Sequence, residues 1–190
     1  MPPDGMPLRE GPLDRIAQGG VALTLLPPAS RHILRGRPAA IEAAGTAFGT
    51  ALPQQACRAA VAGARAALWL GPDEWLLLAP EAEGPALAAA LEQAMEPHPH
   101  ALVDISHRQV GLEVAGAEAA AALNAGCPLD LDPAAFPVGM CTRTVLAKAE
   151  IVLWRKTPVT FHVEVWRSFA GYVWAFLTEA SREFHIGAPA

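Results

Sequence analysis

The sequence predicts an α+β fold in which a strand–helix–strand–strand–helix unit occurs twice, the two copies forming one pseudo-symmetric domain. Three observations carry this. Short apolar segments of strand length alternate with Ala-rich stretches of helical periodicity. The element order over residues 21–97 returns over 98–186. Each half is too short and too apolar to be stable by itself, so a single domain over 21–186 is expected.

Residues 1–20 hold four prolines and four glycines and read as a flexible N-terminal arm. Val21 to Leu26 is a strand, broken by Pro27-Pro28, and Arg31 to Arg35 is a second extended segment. Pro38 suits the first position of a helix whose apolar face is Ile41, Ala44, Phe48 and Leu52. The clearest local pattern is Ala66 to Pro80. Two apolar runs flank Gly71-Pro72-Asp73-Glu74, predicting a hairpin with strands near 66–70 and 75–79, covered on both faces. Pro85 opens a helix with the stripe Leu87, Ala90, Leu91, Ala94 and Met95, and Pro97 ends it.

The second copy begins with extended segments at 101–105 and 110–114. A helix follows Ala117 and stops at Gly126, expected as a left-handed cap. The proline-punctuated loop 127–137 crosses to strands near 141–147, 150–155 and 160–166. A last helix is expected after Ser168 as N-cap, with Phe169, Tyr172, Val173, Phe176, Leu177, Ala180 and Phe184 at three- and four-residue spacing.

Hydrophobic residues make up 52% of the 190 and charged residues 17%, so a substantial core can form. The net charge of −5 argues against a nucleic-acid partner, which needs a basic face. No apolar run is long enough to span a bilayer, and the N-terminus lacks the apolar core of a signal peptide. Cys57, Cys127 and Cys141 are odd in number and lack CxxC spacing. They read as reduced thiols, which points to a cytoplasmic location.

The chemistry-bearing candidates are few. Asp104, Ser106 and His107 invite a hydrolase triad, but strand alternation sends 104 and 106 to one face and 107 to the other, and no GxSxG occurs. The competing reading is a polar strand corner in which Asp104 and Ser106 satisfy backbone amides while His107 or Arg108 faces solvent or a partner. His98 and His100 form an isolated pair, short of a metal ligand set. His162 alternates with apolar neighbours in a strand and reads as an ordinary side chain. Neither GxGxxG nor a P-loop occurs. Most of the five tryptophans should be core, with Trp166-Arg167 the exception, because Trp and Arg commonly anchor interfaces.

Four stretches carry a family resemblance: GPDEWLLLAP (71–80), VDISHRQVGLEVAG (103–116), AGCPLDLDPAAFPVGMCTRTVLAKAEIVLW (125–154) and VEVWRSFAGYVWAFL (163–177). Together they resemble the gamma subunit family of heterotetrameric sarcosine oxidase, which is similar in turn to the folate-binding domain of aminomethyltransferases. The resemblance implies an aminomethyltransferase-like fold and a non-catalytic subunit in a complex with alpha, beta and delta subunits. Those partners would carry FAD, FMN, NAD and tetrahydrofolate, and this chain would carry no cofactor. Where aminomethyltransferases have a glycine pair and a carboxylate pair, residues 147–154 here offer only Glu150, so no catalytic or cofactor-binding residue is carried over. The expected subunit contacts are His107, Arg108, Arg143, Trp166 and Arg167, with the arm and the loop 127–139 contributing. The alternatives are a folate-binding aminomethyltransferase-like protein acting on its own and a free-standing homodimeric adaptor.

Overall fold

The computed structural model describes residues 15–18 and 20–185. Two fully antiparallel sheets pack face to face, and each carries a pair of helices on its outer face. The strands are β1 (Arg15–Gln18), β2 (Val21–Leu25), β3 (Ala29–Gly36), β4 (Ala59–Ala62), β5 (Arg65–Gly71), β6 (Glu74–Pro80), β7 (His100–Asp104), β8 (Gln109–Ala115), β9 (Cys141–Leu146), β10 (Ala149–Thr157) and β11 (Thr160–Trp166). The helices are α1 (Pro38–Phe48), α2 (Gly84–Met95), α3 (Ala119–Asn124) and α4 (Arg167–Arg182). The expected arm falls outside the described residues except at 15–18, which form β1, and at Gly20.

One sheet runs β1-β2-β8-β11-β10-β9 and the other β4-β5-β6-β3-β7. Apart from the extra edge strand β1, the two orders match under the duplication, with β3-β6-β5-β4 answering β8-β11-β10-β9. The halves are also interlocked. β2 leaves its own half to pair with β8, and β7 leaves the second half to pair with β3. Neither sheet is complete without a strand from the other half.

Strand alternation sorts the core into layers. On β6, Trp75, Leu77 and Ala79 face α1 and α2, while Leu76 and Leu78 face the opposite sheet. On β10, Ile151 and Leu153 face α3 and α4, while Val152 and Trp154 face the sheet interface. The predicted double coverage of the 66–80 hairpin is therefore observed. Trp75, Trp154 and Trp174 are buried, and Trp166 is the exposed exception.

Three local expectations differ. Gly126 is not a left-handed cap, because α3 ends earlier through a right-handed Ala125. Gly126 is small for another reason: a Cβ there would lie 2.6 Å from Phe176 Cζ and 3.0 Å from the Ala147 amide nitrogen. Ser168 is not the N-cap of α4, since the helix begins at Arg167 and Trp166 holds the cap position. β4, made of small residues (Ala59-Ala-Val-Ala62), had no apolar signal to reveal it.

Candidate functional site

The chain crosses between the sheets at two places, and the polar residues of the interior gather there. The first crossing is Leu26-Pro27-Pro28, between β2 and β3, and the second is 105–108, between β7 and β8. The stretch DISHR is therefore the corner at which the chain changes sheets. Ile105 enters the inter-sheet core. Its amide donates to the Arg31 carbonyl (2.8 Å), and the Arg31 amide donates to Ser106 Oγ (2.9 Å). Asp104 Oδ1 accepts from the Ser106 amide (2.8 Å) and from Ser106 Oγ (2.6 Å). Those bonds from Ser106, side chain first, hold the Asp104 carboxyl below its ordinary range. Ser106 thus donates to Asp104 rather than to a base, and the corner reading holds against the triad.

Beside this corner lies the main polar cluster. Arg31 on β3 reaches across the interface to Glu164 on β11, with Nε to Oε2 at 2.6 Å and Nη2 to Oε1 at 3.1 Å. His162, two residues along the same face of β11, donates from Nε2 to Glu164 Oε1 (2.7 Å). Arg31 and Glu164 are both buried. Burial works to raise the Glu164 pKa. The hydrogen bond and charge of His162, with those of Arg31, outweigh it, and the net direction is down. Gly111, opposite Glu164 in register, makes room for the pair: a Cβ there would lie 3.1 Å from both Arg31 Nη2 and Glu164 Oε1. Sequence reasoning missed this cluster. Its members are 133 residues apart in sequence, and His162, read as an ordinary side chain, is part of it.

Two cavities flank the Pro27–Pro28 crossing and share Arg31 as a wall. The larger, ≈ 450 Å³, is bordered by Trp154, His162, Glu164, Arg65 and Lys156. The smaller, ≈ 220 Å³, is bordered by His107, Gln109 and Arg167. Glu164 is locked by two partners, and Glu150 is exposed on β10. Any group that used the Glu164 carboxylate would have to displace Arg31 or His162. Among the described residues, no group of His, Cys, Asp and Glu could hold a metal ion. Of the His98–His100 pair, His100 uses both ring nitrogens on acceptors, the His98 carbonyl (2.7 Å) and Glu92 (2.9 Å).

Four of the five residues singled out as contacts come together at one surface. The Arg167 amide donates to the Arg108 carbonyl (2.8 Å), and the Arg108 guanidinium lies 5.0 Å from the centre of the Trp166 ring. His107 is exposed beside them. The patch continues along α4 through Phe169 and Tyr172, 41% and 39% exposed, in line with Trp166 at 41%. Arg143 lies apart on β9, where it makes a bidentate ion pair with Glu74 and ties one sheet to the other. The loop 127–139 is anchored from within: buried Arg155 donates to the carbonyls of Phe136 (2.7 Å) and Leu131 (3.1 Å), against the Phe161 ring. The three cysteines are unpaired thiols, and burial pushes that of Cys141 up to about 12.

Comparison with known proteins agrees with this architecture. The model of the sarcosine oxidase gamma subunit family matches residues 35–183. The sarcosine oxidase subunit gamma of an Arthrobacter species is 35% identical over 188 residues, 93% of this chain and 92% of that one. The subunit of the same description from Corynebacterium sp. (strain P-1) is 40% identical over 141 residues, 73% of this chain and 68% of the relative. Among solved structures, the heterotetrameric sarcosine oxidase of Corynebacterium sp. U-96 contains a chain that superposes with a TM-score of 0.84 at 31% identity, covering 94% of this chain and 92% of that one. An aminomethyltransferase T of the glycine cleavage system from Bartonella henselae superposes at 0.68 with 16% identity, over 87% of this chain and 47% of that one, a likeness of fold.

Proposed function

Because the chain belongs to the sarcosine oxidase gamma subunit family, we propose that it works as a non-catalytic subunit of a heterotetrameric sarcosine oxidase, contributing shape and contact surface. Alpha, beta and delta subunits are its partners. They carry the FAD, FMN, NAD and tetrahydrofolate through which sarcosine is oxidised to glycine. The observation that carries the reading is the contrast between inside and outside. The buried polar residues Arg31, His162 and Glu164 satisfy one another, whereas Trp166, Phe169, Tyr172 and Arg108 form an exposed aromatic and cationic patch. Aromatic residues and Arg are the side chains that most often dominate stable interfaces. His107, Arg108, Trp166 and Arg167 are the proposed contact set, with Phe169 and Tyr172 added. The location is the cytoplasm, in keeping with three unpaired thiols.

A self-sufficient folate-binding protein is less favoured, since the buried carboxylate is occupied within the fold. Tagging this chain in its native cell tests the proposal. Co-purification of larger subunits with flavin absorbance and sarcosine-dependent peroxide formation is expected. Recovery of the chain as a flavin-free monomer would reject it.

A further inference from the structure

The exposed patch beside α4 carries charge as well as aromatic surface, and the two together select its partner. Arg108 and Arg167 sit side by side, joined by the 2.8 Å bond between the Arg167 amide and the Arg108 carbonyl. Both are exposed. Arg31, Arg35, Arg65, Arg143 and Arg182 each pair with a carboxylate, whereas among the described residues neither Arg108 nor Arg167 meets one. Neither side chain donates a hydrogen bond within the fold, and the Arg108 guanidinium only lies over the Trp166 ring. Two acidic residues stand nearby. Asp104 is bonded to Ser106 and feels the charges of His32 and His107 rather than those of the arginines. Glu81 borders the small cavity together with Arg167, but it is exposed, where solvent and salt weaken its pull. Two like charges on neighbouring backbone thus face outward, on a chain whose net charge is −5. Past them the surface is aromatic. Trp166, Phe169 and Tyr172 are exposed at three-residue spacing, over about 9 Å of helix rise.

We propose that the partner segment docking here is acidic. It places Asp or Glu carboxylates against Arg108 and Arg167 and apolar side chains over Phe169 and Tyr172. Each guanidinium fork matches a carboxylate through two parallel N–H···O bonds, and the surrounding rings keep water from them. A second copy does not fit this face, because a twofold contact through it would set arginine against arginine. The inference rests on the subunit reading above and adds the chemistry of the partner at its contact surface.

The test uses the tagged full-length chain in its native cell and the complex recovered with it. Arg108→Glu/Arg167→Glu is expected to lower recovery of the partner subunits about tenfold or more, since like charges then oppose each other across the contact. Arg35→Glu/Arg37→Glu makes the same change of charge at two exposed positions elsewhere and should recover them at the parent level. Melting curves of the variants should match the parent. Arg108→Lys/Arg167→Lys keeps the charge and supplies amines. A carbodiimide then condenses the new Nζ with a carboxylate in contact with it, forming an amide while the reagent takes up the water as a urea. Mass spectrometry should find position 108 or 167 joined to Asp or Glu of another subunit. Undiminished recovery with Arg108→Glu/Arg167→Glu, or cross-links from these positions only to this chain or a second copy of it, would overturn the inference while leaving the subunit reading standing. Failure of the parent chain to recover any partner would overturn both.

Discussion

Replacing Arg31 by Met tests how the two sheets are held together. The side chain keeps its length and loses its charge, and Glu164, fully buried, is left with His162 as its remaining partner. Removing one member of a buried ion pair typically costs about 3–5 kcal/mol, because the other charge stays desolvated and uncompensated. For a domain of this size, 1 kcal/mol corresponds to roughly 2–4 °C in melting temperature, so a drop of about 10 °C is expected. Arg35→Ala is the control: it breaks the Arg35–Asp73 pair, in which both side chains are more than half exposed, and should cost under about 1 kcal/mol. The double variant Arg31→Met/Glu164→Leu removes both charges and should be more stable than Arg31→Met alone. Urea denaturation of the four proteins at neutral pH provides the free energies. Equal losses for Arg31→Met and Arg35→Ala, or a double variant no more stable than Arg31→Met alone, would refute the reasoning.

Stability should also fall on acidification in two stages. Burial lowers the pKa of His32 below its ordinary 6.5, against a smaller opposing pull from Asp104. The unfolded chain therefore binds a proton that the folded chain resists. The His32 contribution is complete above pH 6.5 and is lost as the pH drops from there through the folded-state value, and His32→Gln should flatten that part of a urea-melt pH series. Glu164, Glu74 and Asp104 are all lowered, so their contributions persist above their unfolded pKa values and disappear below about pH 4.5 as each folded-state value is passed. Gly116→Ala should prevent stable folding, since Gly116 has φ +126° and a Cβ there would lie 1.9 Å from the Gly20 carbonyl oxygen; Gly139→Ala, with φ +83° and open space, should lose only about 1–2 kcal/mol by thermal melting. Arg155→Met strips donors from the carbonyls of Leu131 and Phe136, and limited proteolysis should then cut within 127–139 well before the parent is cut there. Trp166→Ser combined with Phe169→Ser should leave the melting temperature of the chain nearly unchanged while abolishing recovery of partner subunits in a pull-down, because both rings are exposed in the free chain.

Local physics was legible in the sequence wherever it decides the outcome by itself. Pro38 opens α1 because its fixed φ and missing N–H suit that position. The 66–80 hairpin declared both its turn and its doubly buried strands through an unbroken apolar pattern. The Asp104–Ser106 corner followed from the appetite of short polar side chains for nearby backbone amides. What stayed hidden depends on partners far apart along the chain. Exchange of β2 and β7 between halves leaves each strand with the same periodicity it would have at home. Arg31 and Glu164 read singly as polar residues in strands, and only the sheet packing makes them a pair. Arg155 and Gly126 were equally silent, one because its acceptors are backbone carbonyls and the other because what limits it is the Phe176 ring from α4. The exposed aromatic patch was half legible: Trp166 stood out by residue type, whereas Phe169 and Tyr172, read at helical spacing with the other apolar residues of the last helix, turn outward because Ala170, Val173, Trp174 and Leu177 fill the core side of α4.

The central claim is that this polypeptide supplies surface while its neighbours perform the chemistry. The most direct measurement compares the purified single chain with the assembled complex, assaying sarcosine-dependent peroxide formation and calorimetric binding of a reduced folate on both. The account predicts turnover and folate binding from the assembly and neither from the chain alone. Sarcosine turnover by the lone chain, or micromolar folate binding to it, would contradict the account.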